Sequence, residues 1–227
     1  MRVHVLGTRG EIPRAAPRYV GHSGILVDGR ILLDLGEASY LRYRPEQIFI
    51  SHLHPDHAAF VVRPLAFDGH VYVPEATRAF PMATMMSGPV EIGAYRIVPV
   101  PTEHSHRVRS IGFVVEKGGR RLFYSSDLIA IHRRYHGRLG LLDLVITDGS
   151  FMRRGGLVRT DPATGRRFGH AGIPDLVEFF RRFTHRIVVT HFGSWFYENI
   201  PAARRRIAAL SDGARLSAAY DGMILTV

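Results

Sequence analysis

The chain of 227 residues contains no cysteine. That absence excludes disulfide scaffolds, thiolate zinc sites, iron–sulfur clusters and cysteine nucleophiles together. Any metal this chain holds must therefore be held by histidine and carboxylate. Long apolar runs are missing as well. The opening Met1-Arg2-Val3-His4-Val5-Leu6-Gly7 lacks the apolar stretch that a secretory signal carries behind its basic start. No run of about 18 apolar residues offers a membrane span, so a cytoplasmic protein with no membrane contact is expected. Negative charge is scarce: 20 Asp+Glu face 30 Lys+Arg, for a net charge of +10. Lysine is almost absent too, because Lys117 is the only one. The arginines are scattered, from Arg107 and Arg109 through Arg133-Arg134 and Arg166-Arg167 to Arg204-Arg205-Arg206, and form no single stripe. Such a charge attracts polyanions and speeds their encounter without naming one.

With 46% hydrophobic and 22% charged residues, the composition is that of a globular protein able to bury a core, not of a disordered chain. Length and the lack of repeats or linkers point to one domain over residues 1–227. Short β-rich segments dominate. Strands are expected at 2–6, 24–27, 31–35, 48–50, 95–100, 112–116 and 121–124, and again at 144–146, 187–189, 215–220 and 223–227. Asp28-Gly29 supplies the positive φ angles of a tight hairpin. Helices are expected at 173–183, where Pro174 sits in the first turn and Leu176, Val177, Phe179, Phe180 and Phe183 share a side, and at 201–210. Residues 152–169, rich in Gly and Arg, read as a mobile loop. The order of elements suggests two sheets packed face to face with helices outside.

Histidine is abundant, with 13 in the chain. Ser51-His52-Leu53-His54-Pro55-Asp56-His57 sets three imidazoles and a carboxylate directly behind the apolar strand at 48–50. A core cannot hold three such rings cheaply unless something binds them, and neutral imidazole with carboxylate suits Zn²⁺, Mn²⁺ or Fe. Alternate residues of an extended segment share a side, so His52 and His54 can reach one ion while Asp56 and His57 reach a second. Other candidates sit at strand ends: His104 and His106, Asp127, and His191. Asp34, at the end of its own strand, reads either as a turn cap or as a partner that orients one of these imidazoles.

H-x-H-x-D-H at 52–57, a later histidine before Gly112-Phe113, Ser125-Ser126-Asp127 and Thr190-His191-Phe192 occur in the order seen in the metallo-β-lactamase superfamily, which the chain resembles over nearly its whole length. The resemblance implies an α/β fold, an αββα four-layer sandwich with a dinuclear centre at one sheet edge. It implies His52, His54 and His106 on the first metal, Asp56, His57 and His191 on the second, and Asp127 bridging. His106 is preferred because His-x5-Gly-Phe has the spacing of the common motif; His104-Ser105 resembles an alternative form. The cofactors implied are two divalent ions, zinc first, with manganese or iron as alternatives.

Leu6-Gly7-Thr8-Arg9-Gly10-Glu11-Ile12-Pro13 and Leu33-Asp34-Leu35-Gly36-Glu37 resemble the phosphodiesterase branch of that superfamily, which includes ribonuclease Z and small cyclic-phosphate diesterases. Gly169-His170, just before the helix at 173, resembles the loop histidine that donates a proton there. Between His57 and His106 there is no Gly/Pro-rich inserted arm, and Ala58-Ala59-Phe60 stands where the branch carries Gly-Leu, so tRNA processing is not implied. His54 stands where oxygen-reducing members carry Glu, which favours hydrolysis. The expectation is a metal-dependent phosphodiesterase or nuclease in which two cations share a hydroxide. Asp56 acts as ligand and catalytic carboxylate, and His170 as general acid. The expected partner is an anionic phosphodiester, RNA or a nucleotide, and a homodimer is compatible with the sequence. Two other readings stand beside it: a thioesterase or lactonase using the same ligands, and a non-catalytic nucleic-acid-binding protein.

Overall fold

The computed structural model describes residues 1–211 and 213–227. The first half supplies β1 (Arg2–Gly7), β2 (Gly24–Val27), β3 (Ile31–Leu33), β4 (Gln47–Phe49), β5 (His70–Val73) and β6 (Thr84–Met85). Next come β7 (Val90–Ile92), β8 (Tyr95–Thr102), β9 (Ser110–Lys117), β10 (Arg120–Ser125), helix α1 (His136–Leu139) and β11 (Leu144–Gly149). The remainder holds β12 (Leu157–Thr160), β13 (Arg167–His170), α2 (Ile173–Phe180), β14 (Arg186–Phe192), α3 (Ser194–Glu198), α4 (Ile200–Ala208), β15 (Arg215–Ala218) and β16 (Ile224–Thr226). Two seven-stranded sheets result, in the orders β16-β1-β2-β3-β4-β5-β6 and β15-β14-β11-β10-β9-β8-β7.

The strands read as continuous apolar runs because both of their faces are covered. Along β3, Ile31 and Leu33 point between the sheets while Leu32 points outward. Along β10, Leu122 and Tyr124 point between the sheets while Phe123 packs under the helices. This is the two-residue period of a pleated strand. Helix α2 forms where expected, with Pro174 in its first turn and Ile173, Leu176, Val177 and Phe180 buried against the second sheet. It stops at Phe180, and Phe183 packs on the same cluster from beyond its end. Asn199 caps α4 by accepting the Ala202 N–H at 3.0 Å. Over the outer face of the first sheet, the covering layer consists of 3-10 segments, Ala38–Tyr43 and Ala59–Val61, which bury Tyr40 and Phe60. Asp28 and Gly29 adopt φ of 50° and 73°, as the hairpin turn requires.

Residues 152–169 are more ordered than their composition suggested, because β12 and β13 pair as an antiparallel hairpin. The Gly169 N–H donates to His104 O at 2.8 Å. Gly169 itself has φ of 118°, and a Cβ there would meet Leu157 O at 2.0 Å, so only glycine lets the hairpin close this tightly. Strands β3 and β4 run parallel, as do β10, β11 and β14. Their C-terminal ends therefore meet at one edge of the sandwich, which collects Asp34, His52, Asp127, Asp148 and His191 there. Among the described residues no helix is long and apolar enough to cross a membrane.

Candidate metal centre

The centre is built around a buried carboxylate. Asp34 holds a left-handed conformation (φ 62°) just beyond β3, a cost of about 1 kcal/mol or more that needs compensation. Four donors supply it: the Ser51 N–H at 2.7 Å, Ser51 Oγ at 2.9 Å, Tyr124 Oη at 2.7 Å and His57 Nδ1 at 2.8 Å. The His57 contact fixes the proton on Nδ1 and leaves Nε2 free to coordinate. Asp34 thus orients an imidazole.

Around this anchor the side chains fall into two groups joined by Asp127. In the first, His54 Nδ1 lies 3.1 Å from His52 Nε2 and 3.3 Å from His104 Nε2, and Asp127 Oδ2 lies 3.2 Å from His104 Nε2. In the second, Asp127 Oδ1 lies 3.1 Å from His57 Nε2 and 3.2 Å from His191 Nε2, while Asp56 Oδ2 is 3.0 Å from His191 Nε2. His52, His54, His104 and Asp127 could together hold one metal ion, and Asp56, His57 and His191 another. His191, like Asp34, sits in the left-handed region (φ 56°), which turns its ring back into the site at the end of β14.

His106, expected from its spacing to Gly112-Phe113, is not in this cluster, and the structure brings His104 there instead. The reason is local. Glu103 bridges to Ala130 and His104 Nδ1 contacts Gly169 O at 3.0 Å, which aims the Nε2 of His104 at Asp127. Ser105 Oγ then accepts the Arg107 N–H at 3.1 Å and turns the chain, so His106 packs against Phe168 at 4.4 Å between ring centroids. The other expected residues, His52, His54, Asp56, His57, Asp127, His170 and His191, all converge.

The donor set fits a cation. Burial pushes the pKa values of His52, His54 and His104 down, that of His104 to about 4, so these rings are neutral at pH 7 and carry lone pairs. Facing imidazole nitrogens can share at most one proton per pair, and a cation among them satisfies every lone pair. Asp127 Oδ1 is buried without a hydrogen-bond partner of acceptable geometry. Burial opposes charge on His57 and His191 as well, but Asp127 outweighs it, helped by Asp56 and Asp34 at His57 and by Asp148 and Asp56 at His191, whose pKa rises to about 10. The field that holds a proton there would hold a cation. Oxygen and imidazole donors of this kind suit Zn²⁺, Mn²⁺ or Fe.

Asp148 was visible in the sequence only as the residue on which an apolar strand ends. Its Oδ2 meets His170 Nδ1 at 2.7 Å and accepts the Leu128 N–H at 3.1 Å, and its Oδ1 accepts the Ser150 N–H at 2.8 Å. Burial disfavours a charged His170, yet Asp148 overcomes this and raises the pKa above that of free imidazole. His170 lines a cleft of about 450 Å³ together with Asp56, Asp127 and His191, and Ile12, Phe151, Leu157 and Trp195 form its apolar walls. Trp195 is thus a wall residue, whereas its neighbour Phe196 is fully buried in the core. His22 contacts Arg9 Nη2 at 2.7 Å in a neighbouring recess. Among the described residues no Arg or Lys lines the cleft.

Comparison with known families and structures agrees with this geometry. A family model described as "Beta-lactamase superfamily domain" matches residues 41–192. No curated protein matches the chain. Among solved structures, the metallo-beta-lactamase fold protein YhfI from Bacillus subtilis superposes with a TM-score of 0.73 at 17% identity, covering 99% of this chain and 98% of that one. A diphosphatase from the PhnP family gives 0.68 at 16% identity, covering 100% and 97%. Human tRNase Z, short form, gives 0.63 at 19% identity, covering 100% and 99%. At these identities the likeness is one of fold.

Proposed function

Because the chain belongs to the beta-lactamase superfamily, has the metallo-β-lactamase fold and gathers clusters of possible metal ligands at one edge of its sandwich, we propose that it is a metal-dependent hydrolase of phosphodiesters, a phosphodiesterase or nuclease. The observation that carries this reading is the Asp148–His170 pair, joined at 2.7 Å, in which His170 lines the same cleft as Asp127 and His191. An alkoxide leaving from phosphorus needs a proton, whereas a thiolate does not, so a positioned imidazolium favours a diester over a thioester, while it would serve the leaving alkoxide of a lactone equally. The names of two relatives by fold, a diphosphatase and a tRNase Z, point to phosphoryl chemistry as well.

His52, His54, His104 and Asp127 would hold one cation and Asp56, His57 and His191 a second, with Asp127 shared. Bound there, divalent ions supply Lewis acidity and lower the pKa of water toward neutrality. The protein's own groups do the rest. Asp34 keeps His57 in one tautomer. Asp56, held by His191 and His57, presents a carboxylate to the attacking water. Asp148 accepts from His170 Nδ1, which leaves Nε2 to carry the proton that the leaving oxygen takes up. The apolar walls at Ile12, Phe151, Leu157 and Trp195 exclude bulk water and give one face of the substrate an apolar contact. Those walls, with no basic side chain among them, are also what favours the second reading, an acyl ester or lactone as substrate.

The deciding experiment compares initial rates on bis-p-nitrophenyl phosphate and p-nitrophenyl acetate, using purified protein loaded with Zn²⁺ or Mn²⁺. Turnover of the diester that disappears in EDTA is expected. Hydrolysis of the acetate alone would replace the proposal with the acyl reading.

A further inference from the structure

We infer that a second groove, next to the catalytic cleft, binds the sugar–phosphate backbone of a single-stranded nucleic acid whose scissile linkage lies in the cleft. The inference rests on the phosphodiester reading for the identity of that linkage. The groove has a volume of about 550 Å³. Four guanidiniums edge it: Arg109 before β9, Arg134 in the 3-10 turn Arg133–Tyr135, Arg138 in α1, and Arg166 at the start of the strand β13 side of the hairpin. These come from three separated stretches of sequence, which is why no basic stripe was legible in the chain.

Their charge is not neutralised by a carboxylate. Arg30, Arg96, Arg120, Arg121, Arg154 and Arg167 each pair with a carboxylate. Among the described residues none of the four groove arginines does so. Arg138 Nη1 donates to Pro99 O at 2.7 Å and Arg166 Nη1 to His106 O at 3.1 Å, both neutral backbone acceptors. Glu103, the residue after β8, is committed to Arg167, and Glu75 accepts the backbone N–H of Arg109 at 3.0 Å.

The groove is also chemically suited to its occupant below the rim. Thr102 and Ser110 oppose each other across the β8–β9 ladder and both line it. Their hydroxyls, Thr102 Oγ1 and Ser110 Oγ, are buried without hydrogen-bond partners, and Ser110 is only 9% exposed. A non-bridging phosphate oxygen would satisfy them. Tyr135 provides a ring that Arg134 and Arg138 already flank, at 4.7 and 5.0 Å from its centroid, a surface on which a base can stack.

Extent selects a strand over a lone anion. Arg138 is fixed at Pro99, and Thr102 lies three residues farther along β8, about 10 Å at the rise of a strand. One phosphate cannot touch both ends, whereas consecutive phosphates can. Position ties the groove to the chemistry: Ser105 lines it and directly follows His104 in the chain, so the two Cα atoms are about 3.8 Å apart. His104 lines the cleft, so neighbouring residues of one short segment border the two sites.

The test is fluorescence anisotropy with a fluorescein-labelled 12-nucleotide single-stranded DNA, from 50 to 200 mM salt, on the wild type and on the double variant Arg134→Glu/Arg166→Glu. Both arginines are exposed and neither is packed in a core. Loss of two phosphate contacts should weaken binding at least about tenfold at 50 mM salt and reduce the slope of log K against log salt by about 1.4. Arg205→Glu, on α4 beside β15 at the opposite edge of the same sheet, is the charge control and should change affinity less than about twofold, allowing for screening. Equal losses in the double variant and the control, or none in the double variant, overturns the inference. So does groove-dependent binding to vesicles containing phosphatidylserine with no binding to the oligonucleotide. The measurement needs no turnover. Groove-dependent DNA binding by a protein that fails to cleave bis-p-nitrophenyl phosphate leaves the groove standing and removes the activity, while diester cleavage without oligonucleotide binding does the reverse.

Discussion

Replacing Asp148 by Asn tests the part of the proposed chemistry that the structure defines best. The substitution keeps the shape of the side chain and removes its charge. Asp148 and His170 approach to 2.7 Å in a site where Asp148 is fully shielded from solvent. Charges about 4 Å apart between their centres attract by about 4 kcal/mol at an effective dielectric of 20, and desolvation of both partners offsets a good part of this. A net loss of about 1.5–3 kcal/mol remains, consistent with a hydrogen bond to a charged group, which corresponds to about 10–150-fold in the population or rate that depends on it. The expected result is a selective defect. On bis-p-nitrophenyl phosphate, whose leaving group departs readily without a proton, Asp148→Asn should lower kcat less than about fivefold. On a diester with a simple alkoxide leaving group, where the general acid contributes on the order of 10²–10⁴, kcat should fall by about 10–150-fold. His170→Ala should show the same selectivity, and the double variant should be little worse than His170→Ala alone, because both act through one proton. Equal losses on the two substrates, or additive losses in the double variant, would refute the assignment of Asp148 as the residue that positions the acid.

The ligand assignment is checked by metal content: His104→Ala should lose about one equivalent of bound Zn²⁺ by elemental analysis, and His106→Ala should retain the wild-type content, so the opposite outcome would restore the spacing argument. Chelation should lower the melting temperature by about 5–10 °C, since a cation at 100 times its Kd stabilises by about 2.7 kcal/mol and a chain of this length shifts about 2–4 °C per kcal/mol; an unchanged Tm in EDTA would count against a resident metal. At the far end of the sandwich, partial burial opposes ionisation of Asp28, but hydrogen bonds from Lys117 Nζ (2.8 Å), Tyr95 Oη (2.7 Å) and the Arg2 N–H (2.7 Å) lower its pKa from 3.8 to about 2. A depressed carboxylate stabilises the fold above its unfolded value and loses that contribution as pH falls from about 4 to about 2; the shift corresponds to at most about 2.5 kcal/mol, reduced by solvent screening to about 1 kcal/mol. Urea midpoints of wild type and Asp28→Asn should therefore differ at pH 6 and converge at pH 2, and a constant gap would contradict the linkage.

Much of the fold was legible in the sequence because its strands carry their own punctuation. Asp28-Gly29 marks one hairpin, and β10, β11 and β14 are apolar runs that stop at Ser125, Asp148 and His191. What could not be read was the direction of side chains after a strand ends. His104 and His106 are two residues apart, and a count of residues to Gly112-Phe113 favours the second. The choice is made by contacts from β13, where Gly169 O meets His104 Nδ1, and that partner lies 65 residues downstream. The hairpin of β12 and β13 was missed for a related reason: Gly and Arg dominate its composition, and its order comes from pairing and from the close approach that Gly169 permits, not from a buried apolar face. Asp148 carried a signal equal to that of Asp127, a carboxylate at the end of an apolar strand, but no partner for it was visible until His170 folded back beside it.

The distribution of charge now has a physical division. The cleft has no Arg or Lys among its described walls, so attraction for an anionic group at the reacting centre would come from bound cations and from the imidazolium that Asp148 favours at His170. The arginines cannot substitute for them there. They are free to act at longer range, and four that have no carboxylate partner among the described residues edge the groove that Ser105 lines. A small neutral substrate would need neither arrangement. The apolar walls by themselves would serve such a substrate well, so the wall residues cannot separate the two readings. The groove bears on the choice, because its four guanidiniums have no carboxylate partner and a cleft that handled only neutral esters would give them no anion to bind.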